Sequence, residues 1–138
     1  MLIVGAKGFA KEVLEVLFQS GTTDEIVFFD DLSSNISDYL YGRFLVLKNL
    51  ESVKKYFQEV ENCFTLGIGN PILRKKMCDK FENLGGVLTT IISPKADIGN
   101  FGNHIGSGCN IMTGSVITND ITIKKGTLIN LKCTIGHD

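Results

Sequence analysis

Two neighbouring side chains near the end of the sequence, His137 and Asp138, could carry out general acid–base chemistry. Imidazole titrates near neutral pH, so a histidine can take a proton from an attacking amine or hydroxyl group. A carboxylate beside it can fix the tautomer of the ring and stabilise the imidazolium that forms. A single histidine near a chain end is more often a solvated surface residue. A catalytic role for His137 therefore depends on the pattern of residues in which it lies.

Two glycine-containing turns could bind an anion. Residues 5–10 (Gly-Ala-Lys-Gly-Phe-Ala) and 69–71 (Gly-Asn-Pro) each follow an apolar run and precede a helical pattern. A strand that turns into a helix in this way presents unpaired backbone N–H groups and the positive end of the helix dipole. Asp30 and Asp31 end another apolar run and offer oxygen acceptors to hydroxyl or ring N–H groups. Together these residues predict a pocket for a phosphorylated, sugar-bearing nucleotide.

The first turn departs from the dinucleotide-binding fingerprint. The motif G-x-G-x-x-G starting at Gly5 requires glycine at positions 7 and 10, where the chain has Lys7 and Ala10. The second glycine lets the pyrophosphate approach the backbone closely, so a lysine there counts against a nicotinamide or flavin dinucleotide. A purely structural glycine turn stays open as an alternative.

Two cationic side chains could assist an anion. Lys7 lies within the first turn, and Arg74 lies with Lys75 and Lys76 near the start of the helix that follows Pro71. We expect Arg74 on the exposed side of that helix, where it could reach a phosphate. The alternative is a solvated helix face without a ligand.

Strands alternate with helices over about the first 90 residues, which predicts a parallel sheet covered by helices. In such sheets ligands bind outside the carboxyl ends of the strands, which is where the two turns and the aspartates fall. The helix after Pro71 is expected to carry Leu73, Met77, Phe81 and Leu84 inward. The strands are expected at Leu2–Val4, Ile26–Phe29, Cys63–Ile68 and Val87–Ile91, and the helices at about Phe9–Ser20, after a capping Asn49, and after Asn70-Pro71.

An isoleucine recurs at every sixth position from Ile105 to Ile135, and Ile92 and Ile98 precede this run with the same spacing. One extra residue within 101–104 shifts the register once. A period of six belongs neither to a strand nor to a helix. It fits one flat side of a triangular coil with the isoleucine pointing inward, and stacked coils then share one interior.

This repeat ends in Thr134-Ile135-Gly136-His137-Asp138, and it follows a glycine-turn α/β segment. In both respects the chain resembles the left-handed β-helix acyltransferases, and most of all the sialic acid O-acetyltransferase NeuD / PglD-like sugar acyltransferase family. The resemblance covers essentially the whole chain. It implies an α/β fold class with two domains: a Rossmann-like, nucleotide-sugar-binding parallel sheet domain at residues 1–91, and hexapeptide repeats forming the first coils of a left-handed β-helix at residues 92–138.

The resemblance also implies an activity. The family transfers an acetyl group from acetyl-CoA to an amino or hydroxyl group of a sugar, by direct attack and with no acyl-enzyme. The expected acceptor is a UDP-linked amino sugar used in surface glycan biosynthesis. Free sialic acid or another sugar hydroxyl is an alternative within the same class, and a non-catalytic nucleotide-sugar-binding or assembly module is an alternative from another class. A small NAD(P)-dependent oxidoreductase is disfavoured by Lys7.

Residue roles follow from the same resemblance. His137 would be the general base and Asp138 its orienting partner. Many relatives have histidine where this chain has Phe9. We expect a branched side chain at Gly8 to resist the turn and to block the approach of the ligand. The substrate-binding candidates are Gly5, Lys7, Gly8, Phe9, Asp30, Asp31, Gly69, Asn70 and Arg74.

The composition excludes several other classes. The chain is 43% apolar and 21% charged, with a formal net charge of −1 and no run of basic residues, so neither nucleic acid nor an anionic membrane surface is expected as a partner. The start lacks a basic n-region and no stretch is long enough to span a bilayer, which predicts a cytoplasmic protein. The four cysteines show no metal-ligand spacing, so we expect reduced, apolar thiols and no metal site.

The length of the repeat leads to two further expectations. The family implies a homotrimer with active sites between subunits. One coil takes about 18 residues, so residues 92–138 hold about two and a half coils, whereas stacked repeats generally need three or more. We therefore expect a C-terminally shortened chain that binds a nucleotide-sugar, whose acetyl-CoA contacts lie beyond residue 138, and that does not transfer acetyl groups by itself.

Overall fold

A computed structural model describes residues 1–22 and 25–137. Its first part is a six-stranded sheet in the order β3-β4-β2-β1-β5-β6, parallel except for the β3–β4 pair. Three helices alternate with the parallel strands, as predicted. The elements are β1 (Leu2–Val4), α1 (Gly8–Gln19), β2 (Val27–Phe29), β3 (Tyr39–Leu40), β4 (Phe44–Leu47), α2 (Leu50–Glu59), β5 (Cys63–Leu66), α3 (Pro71–Asn83) and β6 (Val87–Leu88).

Local sequence signals explain where the helices begin and end. The side chain of Asn49 accepts a hydrogen bond from the Ser52 N–H, and that of Asn70 accepts one from the Leu73 N–H, so both predicted caps are confirmed. Helix α1 ends at Gln19, and Gly21, two residues later, has a φ of 83°. The N–H of Thr22 donates to the carbonyl of Leu17 at 3.0 Å, which closes the helix in the manner of a Schellman motif.

The second part consists of short parallel strands stacked in three sheets, in the orders β13-β10-β7, β14-β11-β8 and β12-β9. The isoleucines Ile111, Ile117 and Ile123 and the thiol of Cys109 are buried in one shared cluster. The predicted coils of a β-helix are therefore confirmed. The strands are β7 (Ile91–Ile92), β8 (Asp97–Ile98), β9 (His104–Ile105), β10 (Asn110–Ile111), β11 (Val116–Ile117), β12 (Thr122–Ile123), β13 (Leu128–Ile129) and β14 (Thr134–Ile135).

The corners of the coils have their own six-residue period. A positive φ recurs at residues 102, 108, 114, 120, 126 and 132. Four of these residues are glycine, and the other two are Asp120 (φ 63°) and Lys132 (φ 55°). Glycine predominates because it adopts this conformation without steric cost. Each corner lies three residues before the next inward-pointing isoleucine or its equivalent.

The two parts pack against each other through a common core. Ile91 and Met112 of the β-helix belong to the same buried cluster as Ile3, Val13 and other residues around α1. The opposite face of the sheet is covered by α2 and α3 around a second cluster that contains several aromatic rings. Among the described residues, no helix is long and apolar enough to cross a membrane.

Two details of the sequence interpretation are wrong. Leu73 is 44% exposed, whereas Arg74 and Cys78 are buried, because the β-helix packs on the side of α3 that we expected to face solvent. The predicted strand Val87–Ile91 is two separate strands, since β6 pairs with β5 and β7 pairs with β10 of the β-helix.

Candidate functional site

A cleft of about 300 Å³ opens at the carboxyl ends of β1, β2 and β5. The parallel strands have the order β4-β2-β1-β5-β6, so the direction of winding reverses between β1 and β5. A reversal of this kind leaves a crevice in which ligands of doubly wound sheets bind. The cleft brings together six of the predicted residues: Gly5, Lys7, Phe9, Asp30, Asp31 and Gly69. Gly8, Asn70, Arg74 and His137 are not among the residues that line it.

The floor of the cleft requires glycine at two positions. Gly5 has a φ of 106°, and a Cβ atom there would lie 2.9 Å from the carbonyl oxygen of Gly67. A Cβ atom on Gly67 would lie 2.6 Å from the Cβ of Ala10. The β1–α1 and β5–α3 turns therefore touch backbone to backbone. Gly67 is a cleft residue that the substrate-binding candidates did not include, although it is the first glycine of the Gly67-Ile68-Gly69 segment.

The expectation that a branched side chain at Gly8 would resist the turn is wrong, whereas its effect on the approach of a ligand stays a prediction. The φ of Gly8 lies outside the left-handed region, and a Cβ atom there would meet nothing within 4 Å. Gly8 is the first residue of α1, and its N–H group is one of those that a helix leaves unpaired at its start. Gly69 is likewise open, with no heavy atom near a built Cβ.

The two aspartates differ in their environment. Asp30 is buried, and its carboxylate accepts hydrogen bonds from the N–H of Leu32 at 3.1 Å and the N–H of Ser33 at 2.8 Å. The Ser33 hydroxyl donates to its other oxygen at 3.0 Å. Asp30 thus organises the loop that forms one wall of the cleft. Asp31 lies 3.9 Å from the Lys80 ammonium, and both side chains are partly exposed.

The remaining walls are partly apolar. Phe9 lines one side and packs against the core around α1, and Leu73 and Met77 of α3 line another. Leu73 and Met77 were expected to face the core. Leu73 does not, because the rotation of α3 buries Arg74 instead, whereas Met77 also packs against the second cluster as expected. Lys7 precedes α1 as its N-cap residue and is exposed at the rim of the cleft.

Arg74 corrects the sequence interpretation most strongly. It is only 4% exposed, and its guanidinium donates to the carbonyls of Leu66, Ile68 and Gly126 and to the side chain of Asn110. Burial lowers the pKa of this guanidinium from its usual value. Its N–H groups are committed to the protein, so Arg74 has none left for a phosphate.

His137, the candidate general base, lies at the end of the part of the β-helix that the structure describes. His137 is exposed and follows β14 after one intervening residue, Gly136, and β14 belongs to the same coil side as β8 and β11. Its place two residues after the inward-pointing Ile135 is the one that the repeat predicts. Asp138 lies outside the described residues.

Three side chains of α3 come close enough to hold a metal ion. One ligand atom each from Cys78, Asp79 and Glu82 lies within 4.8 Å of the others. The ammonium of Lys125 bonds Glu82 at 2.6 Å, and that of Lys75 bonds Asp79 at 2.6 Å. Burial, and then the charge of Glu82, raises the pKa of the Cys78 thiol, which disfavours the thiolate that a metal would need. Ion pairing explains this cluster without a metal.

Comparison with known proteins gives the family. The model of the PglD N-terminal domain matches residues 1–81, which is more than half of the chain. This protein belongs to the PglD N-terminal domain family. No curated protein matches the sequence.

Solved structures extend the similarity of this PglD family member into the β-helix. WeeI from Acinetobacter baumannii is 27% identical, with a TM-score of 0.85, over 99% of this chain and 63% of that chain. PerB from Caulobacter crescentus, solved with CoA and GDP-perosamine, is 26% identical with a TM-score of 0.82 over 97% and 61%. The acetyltransferase domain of PglB from Neisseria gonorrhoeae, solved with acetyl coenzyme A, is 26% identical with a TM-score of 0.80 over 99% and 64%. The chain therefore spans less than two thirds of the length of these structures.

Proposed function

We propose that the protein takes part in acetyl transfer from acetyl-CoA to a nucleotide-linked sugar, and that the cleft at the β1–β5 crevice holds the nucleotide. The observation that carries this proposal is the cleft itself. It places the N-termini of α1 and α3 on either side of two touching glycine turns. Backbone N–H groups at these helix ends suit a diphosphate, and the similar PerB was solved with a GDP-linked sugar.

The walls of the cleft give each part of such a ligand a partner. Lys7 at the rim supplies a positive charge for the phosphates, whereas the loop organised by Asp30 faces the sugar or base. Phe9 and Leu73 offer apolar surface to a flat ring. Phe9 has no hydrogen-bonding group in its side chain, so this contact would be one of packing. The nucleotide base is expected to be uracil, with guanine as the alternative.

His137 is proposed as the general base, with Asp138 as the residue that orients it. Its imidazole would take the proton of the acceptor amine or hydroxyl as that group attacks the thioester carbonyl, and the CoA thiolate would leave. We propose a homotrimer as the assembly in which the reaction takes place, as in the resembled family. Light scattering tests this assembly, and a monomer that retains activity would contradict it.

The function is tested in two steps. Isothermal titration of the 138-residue chain with UDP- and GDP-linked amino sugars should give saturable binding of one of them, and none of NAD(H). Thiol release from acetyl-CoA in the presence of that sugar should then be measured for the wild type and for His137→Ala. The variant should bind the nucleotide-sugar as the wild type does. In any form of the protein that releases thiol it should lose at least ~100-fold in rate, whereas the 138-residue chain by itself is expected to bind without turnover. Absence of binding by every nucleotide-sugar would contradict the proposal.

A further inference from the structure

The guanidinium of Arg74 is a buried cation with every N–H donor engaged. Its Nη1 donates to the carbonyls of Leu66 at 3.1 Å and Ile68 at 2.9 Å. Its Nη2 donates to Asn110 Oδ1 at 2.8 Å and to the carbonyl of Gly126 at 3.0 Å, and its Nε donates to the same carbonyl at 3.2 Å. Within the part of the chain that the structure describes, no carboxylate pairs with it.

Such an arrangement is costly for stability alone. Burying a charge without an opposite charge carries a desolvation penalty that hydrogen bonds only offset in part, and burial accordingly lowers the pKa of the group. A lysine could not replace it, because one ammonium has three donors on a single atom whereas the planar guanidinium reaches several fixed oxygens at once. The residue type fits the task of holding backbone carbonyls in set positions.

On one side these carbonyls belong to the floor of the cleft. Leu66 and Ile68 flank Gly67, and Ile68 and Gly67 both line the cleft. Strand β6 pairs with β5 only as far as Phe64, so no neighbouring strand satisfies the Leu66 carbonyl on that side. Arg74 satisfies it instead, from behind the cleft. The backbone contact between Gly67 and the first turn leaves the floor little freedom to adjust.

On the other side the partners belong to the β-helix. Asn110 begins β10, and Gly126 is a corner of the following coil with a φ of 72°. The Asn110 amide also donates to the hydroxyl of Thr65 on β5 at 3.0 Å. Arg74, Asn110 and Thr65 are all buried, with exposures of 4%, 0% and 0%. One continuous polar network therefore joins the cleft floor to two coils of the β-helix.

We propose that Arg74 is a positioning residue, which fixes the β5–α3 turn of the nucleotide cleft against the β-helix without touching the ligand itself. It sets the distance and angle between the bound nucleotide-sugar and the coil side that carries His137. The effect of Arg74 on nucleotide affinity rests on the proposed function. Its geometric role, which is to fix the position of the β5–α3 turn relative to the coils, does not depend on the proposed function.

The geometric content is tested by residual dipolar couplings of the ¹⁵N-labelled 138-residue chain, in the wild type, Arg74→Met and Arg74→Lys. Methionine keeps most of the length of the side chain and removes all five donors. The matched control is Lys76→Ala, which removes a positive charge from the exposed side of the same helix. In the wild type and the control, one alignment tensor should fit the sheet and the β-helix together. In Arg74→Met the two parts should need different tensors, and the amide signals of Gly67 and Ile68 should shift.

Binding of UDP and GDP by the same variants tests the consequence. We expect Arg74→Met to lower the affinity for the nucleotide that the wild type binds by about tenfold, as is typical of residues that orient others. Arg74→Lys should have an intermediate affinity, and Lys76→Ala should bind as the wild type does. If Arg74→Met does not fold, Arg74→Lys carries both tests. Failure of the wild type to bind either nucleotide would contradict the proposed function, and the couplings would still decide the positioning role. A single tensor and unshifted turn signals in the Arg74 variants, or unchanged affinity where the wild type binds, would overturn the inference.

Discussion

At the scale of single residues, the cleft depends on which glycines are required and which are only permitted. Gly5 has a φ of 106°, and a Cβ atom added there would lie 2.9 Å from the carbonyl oxygen of Gly67. Gly8, three residues later in the same turn, has neither constraint. Both positions are glycine in the sequence, and only the backbone geometry shows that glycine is required at position 5 and not at position 8.

The first prediction compares these two glycines. Gly5→Ala should lower the free energy of unfolding by about 2 kcal/mol, because it adds left-handed strain and a clash with backbone that cannot rotate away. Gly8→Ala at the exposed start of α1 should change it by less than about 0.5 kcal/mol. Urea denaturation followed by circular dichroism gives both values. Equal effects of the two substitutions would show that the close approach of the turns does not constrain Gly5.

Residue roles that rest on local signals were predictable, whereas those set by distant partners were not. Asn49 and Asn70 cap helices that begin directly after them, and the sequence contains all the information needed. Arg74 is buried by Asn110 and Gly126, which lie 36 and 52 positions away. A helical pattern read by itself places an arginine next to two lysines on the solvent side. The partner that buries it is visible only after the β-helix has packed.

At the scale of elements, the β-helix is the part that the sequence predicts best. Its six-residue period sets both the buried isoleucines and the left-handed corners, because each coil side repeats the same backbone path. Glycine would be the simplest residue at every corner. Lys132 adopts a φ of 55° at its corner instead. Its side chain lies against Gly114, where an added Cβ atom would be 3.3 Å from the Cγ of Lys132.

The second prediction concerns this corner. Lys132→Gly should raise the free energy of unfolding by about 0.5–1 kcal/mol, because glycine removes the cost of a left-handed conformation for a side-chain-bearing residue. The matched control is Lys124→Gly in the neighbouring coil, where φ is not positive. That substitution should destabilise, since glycine there only adds freedom to the unfolded chain. Chemical denaturation of both variants measures the difference, and destabilisation by Lys132→Gly would contradict the corner argument.

Strands of the sheet were predicted less completely than the coils. The run Phe44-Leu45-Val46-Leu47 alternates in burial and forms β4, which pairs in parallel with β2. This strand is absent from the sequence interpretation, although four apolar residues in a row are a usable signal. A short apolar run does not by itself reveal a partner, and the pairing of β4 with β2 depends on contacts across the sheet.

At the scale of the whole molecule, the sheet and the β-helix share a core. The division at residues 91 and 92 stays a prediction about sequence segments, and the buried contacts cross it. Met112 is fully buried in the cluster that also contains Ile3, Val13 and Phe28 of the sheet and α1. The Arg74 network crosses the same boundary with polar contacts. A core that continues across a boundary couples the stability of the two sides.

The last prediction follows from this coupling. Met112→Ala should lower the free energy of unfolding by about 3 kcal/mol, because it leaves a cavity in a core that both parts line. In the wild type, the amide signals of the sheet strands β1 and β5 should lose intensity at the same urea concentration as those of β11 in the β-helix. In the variant, all of these signals should lose intensity at one lower urea concentration. Val116→Ala is the control: Val116 lies in the β-helix, is 37% exposed and is not in the shared cluster, so its effect should stay below about 1 kcal/mol. Two separate transitions in the wild type would mean that the parts fold independently, and the fixed geometry proposed for the cleft and the coil that carries His137 would then lack its basis.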